Sequence, residues 1–101
     1  MLLRHATPAR NLDSIRRRGL LTAMSRGALP LIWLHAPGAS LWAVPHVSRR
    51  HGVPAEAVVV LTVNVPRSWV RRNRRGLWTC DRDIPPARIV GALHHAGPAA
   101  A

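Results

Sequence analysis

The sequence predicts a single α+β domain built from a small mixed β-sheet and two main helices. Three observations lead there. A β-branched, almost wholly apolar run from Ala57 to Val65 reads as a strand covered on both faces. Two segments, Pro8 to Arg18 and Ser40 to His51, carry helix start and stop residues at their ends. The chain has 101 residues, 48% of them apolar, which suffices for one core and is too short for two. The domain is expected to span residues 1–93, with 94–101 as a flexible tail.

Taken in order, Leu2 to Ala6 is short and apolar and suits a first strand that ends at His5. Thr7 is placed to cap a helix, with Pro8 at the first helical position, where a missing N–H costs nothing. That helix shows Leu12 and Ile15 on its apolar face and Arg16, Arg17 and Arg18 in its last turn, where positive charge suits the helix dipole. Gly19 stops it. Leu29 to Leu34 reads as a strand containing Trp33. Pro37-Gly38 breaks the chain, and Ser40 caps a second helix that Pro45 should shorten or kink before Gly52 closes it. After the Ala57–Val65 strand, Arg67 to Arg75 reads as a basic turn or short helix around Trp69. Leu77 to Cys80 and Ile89 to Leu93 read as further strands on either side of the Pro85-Pro86 corner.

Composition adds constraints. There is no Phe and no Tyr, so Val, Leu, Ile and Ala fill the core, with four tryptophans supplying the bulk. Trp33 is therefore read first as a core residue. Fifteen basic residues, all arginine, face four acids, for a net charge of +11. Codon bias explains arginine in place of lysine but not the shortage of Asp and Glu. The field of such a surface attracts polyanions, nucleic acid first among them, with an acidic protein partner or a generic basic surface as the alternatives. The densest charge run, Arg71, Arg72, Arg74 and Arg75, lies beside Trp69. It is the expected nucleic-acid footprint, because guanidinium groups pair with phosphates and an indole stacks on bases. The alternative is a solvated loop.

Other chemistries find little support. A single cysteine, Cys80, forms no internal disulfide. The six histidines show no helical pair at metal-ligand spacing, and there is no phosphate-binding glycine loop or nucleophile elbow. No segment reaches the ~20 apolar residues of a membrane span, and the first residues do not form a signal peptide, so a cytoplasmic protein is expected.

One stretch points to a family. His5-Ala6-Thr7-Pro8-Ala9-Arg10-Asn11-Leu12-Asp13-Ser14-Ile15, closed by Arg18-Gly19-Leu20, resembles the opening of ADP-ribosyltransferase-like proteins. It is most similar to the DNA-modifying toxins and to small relatives of the poly-ADP-ribose polymerases. Ile32-Trp33-Leu34 followed by the segment from Leu41 to Arg50, and Asp83-Ile84-Pro85-Pro86-Ala87-Arg88-Ile89 before the last strand, resemble later elements of the family. The resemblance covers residues 3–90.

It implies a cleft for NAD, in which His5 bonds the nucleotide ribose, Thr7 contacts the same ligand and Trp33 stacks on the nicotinamide. A late glutamate in the family stabilises the positive charge that develops as the glycosidic bond breaks. Registered on the Ile84-Pro85-Pro86 corner, that position falls near Leu77, and leucine lacks the charge. Asp81 and Asp83 are the nearest acids. They are the candidate catalytic residues if an acid survives, and surface ion-pair partners if not. The expectation is an ADP-ribosyltransferase-like module that has lost its acid and binds nucleic acid or a nucleotide through its arginines. Two alternatives stand beside it: an active NAD-dependent transferase modifying nucleic acid, and an accessory subunit in a nucleic-acid-processing complex.

Overall fold

The structure, a computed structural model, describes residues 1–25, 27–74 and 76–94. Among the described residues, six strands form one sheet: β1 (Leu2–Pro8), β2 (Ile32–His35), β3 (Val58–Asn64), β4 (Val70–Arg72), β5 (Leu77–Cys80) and β6 (Ile89–His94). Two α-helices, α1 (Leu12–Arg18) and α2 (Ser40–His51), accompany them, with short 3-10 turns between elements. The strand order is β4-β5-β2-β1-β3-β6.

Every pairing in the sheet is antiparallel, which corrects the expectation of a mixed sheet. Residues 9–31 connect the central pair. They include α1 and separate the two strands, and β2 pairs with β1 running against it at Arg4↔His35.

Alternation along the strands divides the core in two. Val59, Leu61 and Val63 of β3 join Leu3, Ile32, Leu34 and Trp78 on the face that receives Leu12 and Ile15 of α1. Val58 and Val60 point the other way and, with Ala6, pack beneath Ala43 and Val44 of α2. Both faces of β3 are therefore covered, as its unbroken apolar run predicts.

The N-terminal expectations need correction. β1 does not stop at His5. It continues to Pro8, which pairs with Val58, and Thr7 sits within the ladder opposite Val59. Seven consecutive pairs with β3 outweigh the capping preference of a β-branched threonine. Pro8 is extended at φ −58°, ψ 139°, a 3-10 turn fills Ala9–Asn11, and α1 starts only at Leu12. Thr7 nevertheless keeps a local role, because its Oγ1 accepts a 3.3 Å bond from Asn11 Nδ2.

The stop at Gly19 is as read: φ is +80°, and its N–H bonds to Ile15 O at 2.7 Å. The glycine also permits a close approach. A Cβ there would overlap the carbonyl oxygen of Ile84, against which the chain forms a two-bond bridge from Leu20.

α2 reaches His51 as expected and ends in the left-handed Gly52, but Ser40 does not cap it: the cap position is Ala39, and Ser40 is the first helical residue, its hydroxyl donating back to the Pro37 carbonyl. Pro45 does not shorten it. The carbonyl that this proline leaves without its helical donor belongs to Leu41, a residue on the exposed side of the helix, 88% exposed. The basic segment after β3 also differs from the expectation: a 3-10 turn at Arg67–Trp69 leads into β4, which is a strand because Val70, Arg71 and Arg72 pair with Cys80, Thr79 and Trp78. The predicted strand over 29–34 is β2 over 32–35. Residues 95–101 of the expected tail lie outside the described residues, and His94 closes β6.

Candidate functional site

The centre of the sheet is incomplete. β1 runs alongside β3 for seven pairs, but its ladder to β2 consists of the single pair Arg4↔His35. Beyond that pair the two strands part. A cavity of about 660 Å3 occupies the gap, lined by residues 5–7 of β1, by Leu31 and residues 32–35 of β2, by α1 and by one side of α2. The volume falls within the roughly 300–1,000 Å3 usual for small-molecule sites.

Two histidines hold the edges of this gap. His5 Nδ1 lies 2.7 Å from the Trp33 carbonyl oxygen. A carbonyl only accepts, so Nδ1 carries the proton and Nε2 is left as an acceptor, complementary to a ligand hydroxyl. Burial holds the His5 pKa below the usual histidine value, against the opposing pull of the Trp33 bond, and nearby His51 lowers it further. At neutral pH this ring is an uncharged acceptor.

His35 is the second. It is 3% exposed, and its Nε2 stands 3.1 Å from Ser40 Oγ. The single Ser40 hydroxyl proton goes to the Pro37 carbonyl at 3.3 Å, so Ser40 accepts from His35 Nε2–H. That relay fixes the start of α2 to the sheet. Burial first, then the charges of His5 and Arg4, push the His35 pKa from 6.5 down to about 4.

The remaining lining sets the character of the cavity. His5, Thr7 and Trp33, to which the resemblance gives roles toward NAD, all line it. Trp33 is not a core residue. It is 49% exposed, because Ile32 and Leu34 on either side of it take the core face. Leu77, which the resemblance registers on the family's glutamate, lines the same cavity with an apolar side chain. Arg10 and Arg50 contribute cations, and among the described residues no Asp or Glu lines it. Such a lining suits an anion carrying an aromatic ring and a hydroxyl, so the residues present fit a nucleotide.

Asp81 and Asp83 stand elsewhere. Asp81 is exposed and lies 3.9 Å from Arg82. Asp83 Oδ1 accepts two bonds from Thr22, at 2.8 Å from the backbone N–H and 3.1 Å from the hydroxyl, and so ties the loop after α1 to the corner before β6. The structure gives both acids structural partners and brings neither to the cavity wall.

The predicted nucleic-acid footprint is divided. Arg71, Arg72 and Arg74 are exposed on β4 and the turn after it, while Arg75 lies outside the described residues. Trp69 has cationic partners other than these. It is half-buried against the core, with Arg82 and Arg88 over its ring at 5.2 and 5.1 Å from the centroid. Trp78 is buried beneath Arg67.

Sequence reasoning missed Trp42, His46 and Arg50, which also line the cavity. The signal was present as four-residue spacing along α2. Among the described residues no group of His, Cys, Asp and Glu is arranged to hold a metal, and no helix is long and apolar enough to cross a membrane. No protein-family model matches the chain, and comparison with curated proteins finds no match.

Proposed function

We propose that this chain is an ADP-ribosyltransferase-like binding module that holds a nucleotide, NAD being the first candidate, in the cleft between β1 and β2, without the acid needed to break the nicotinamide bond. One observation carries the reading. The four positions that the resemblance assigns to the NAD cleft, His5, Thr7, Trp33 and Leu77, come from three different strands and line one cavity. Three of them keep side chains suited to binding, and the fourth has lost the charge suited to catalysis. The element order supports the same reading: a strand bearing His5 and Thr7, a helix closed by Gly19-Leu20, a short strand bearing Trp33, then α2.

The active-transferase alternative lacks this support, since Asp81 and Asp83 lie off the cavity. Nucleic-acid contact through Arg71, Arg72 and Arg74 is part of the proposal and rests on their exposure at the sheet edge and on the charge of +11.

The test is calorimetric titration with NAD in moderate salt, on wild type and on His5→Ala. Saturable binding that the variant loses, with no release of nicotinamide, supports the module. Absence of binding at millimolar NAD overturns the cleft assignment, and turnover overturns the loss of catalysis.

A further inference from the structure

The cavity has two exposed indoles, and the family resemblance accounts for one of them. Trp42 on α2 is 52% exposed, and its ring stacks on His46 with centroids 4.9 Å apart and planes 11° from parallel. Positions 42, 46 and 50 follow one another at four-residue steps, so Trp42, His46 and Arg50 form a single stripe along the helix. All three line the cavity. In a chain without Phe or Tyr, two of four tryptophans stand at this cavity and not in the core. The imidazole behind Trp42 holds the indole in place, so little side-chain freedom is lost when a ligand stacks on its other face.

We propose that α2 carries a nucleotide subsite of its own, in which the open face of the Trp42–His46 stack takes a nucleobase and Arg50 takes the phosphate attached to it. Aromatic faces accept any base, and a guanidinium pairs bidentately with phosphate oxygens. The inference deepens the cleft reading and rests on it in one respect, that the cavity receives nucleotides. The base–phosphate unit has two sources: the second half of a dinucleotide whose first half lies against Trp33, or one residue of a single-stranded nucleic acid entering the cleft.

The experiment titrates the full chain with NAD, with nicotinamide mononucleotide, and with short single-stranded DNA and RNA oligonucleotides. Wild type is compared with Trp42→Ala, Trp42→Phe and the neighbouring Leu41→Ala. Circular dichroism checks the helix in each variant. Trp42→Ala should weaken one ligand by about 5- to 150-fold, the range for loss of one stacked base. Trp42→Phe should restore most of it, and Leu41→Ala should change nothing. A loss confined to oligonucleotides identifies the unit as a residue of nucleic acid. A loss for NAD without a loss for the mononucleotide identifies it as the second half of a dinucleotide. Wild-type affinities in Trp42→Ala for every ligand, or a loss that Trp42→Phe does not recover, overturn the subsite. The cleft reading fails separately: NAD binding indifferent to His5→Ala would remove it, while a Trp42-dependent oligonucleotide affinity would survive.

Discussion

Lowering the pH from 7.5 to 4 should destabilise this protein through His35 before its carboxylates contribute much. His35 is buried, and its imidazole is held neutral with a pKa near 4 in the folded state against 6.5 in the unfolded chain. Between those values the unfolded state binds a proton that the folded state refuses, so unfolding becomes easier as the pH falls. The stability is fully present above pH 6.5, declines through the window from 6.5 to about 4, and then levels off. At about 1.4 kcal/mol for each pH unit, that gap amounts to about 3 kcal/mol. The charged groups facing the ring, Arg4 and His5, are basic and act in the same direction, and the His5 pKa is itself lowered. With four acids in the whole chain the carboxylates add little over most of this range, while His5, whose pKa is also lowered, contributes a loss of the same sign whether or not His35 is replaced. The assay is urea denaturation of wild type and His35→Gln at intervals from pH 7.5 to 4. Glutamine keeps an N–H donor for Ser40 and cannot titrate. The variant should start less stable and show a flatter profile. Equal slopes in the two proteins would refute the assignment of the pH dependence to His35.

Two further outcomes are expected. Gly19→Ala should cost about 2–4 kcal/mol, because it combines a positive φ with overlap on the Ile84 carbonyl; thermal melting checks this, and an unchanged midpoint would mean that the α1 exit does not dock as described. Replacing Arg71 and Arg72 with Ala should lower the log–log salt slope of nucleic-acid binding by about 0.7–0.9 for each phosphate that the variant no longer neutralises, and an unchanged slope would remove the β4 edge from the footprint.

What can be read in the sequence follows from how local the signal is. α2 and the exit of α1 carry their stop residues within themselves, and β3 advertises its two covered faces in every side chain. β4 carries no such mark. Val70-Arg71-Arg72 is a strand only because β5 lies beside it, and β5 is set by its pairing with β2. Thr7 shows the same competition at one residue, where a local capping preference yields to a ladder with β3, more than fifty positions away. Trp33 misleads for a different reason. The scarcity of aromatics argues for the core, while the alternation Ile32-Trp33-Leu34 already places the indole on the other face. The contact of Asp83 with Thr22 joins residues 61 apart and leaves no local trace.

The single rung between β1 and β2 has a mechanical consequence. The sheet consists of two three-stranded ladders, β4-β5-β2 and β1-β3-β6, joined through one backbone pair, the His5 side chain and the core beneath them. Such a seam is where local opening begins, and amide protons along it exchange sooner than those inside either ladder. A ligand seated in the gap, as proposed, would bond to both halves and stand in for the missing rungs. Its binding energy would then appear as resistance to parting of the seam, in proportion to its occupancy. On the proposed reading, the bound nucleotide would finish the sheet.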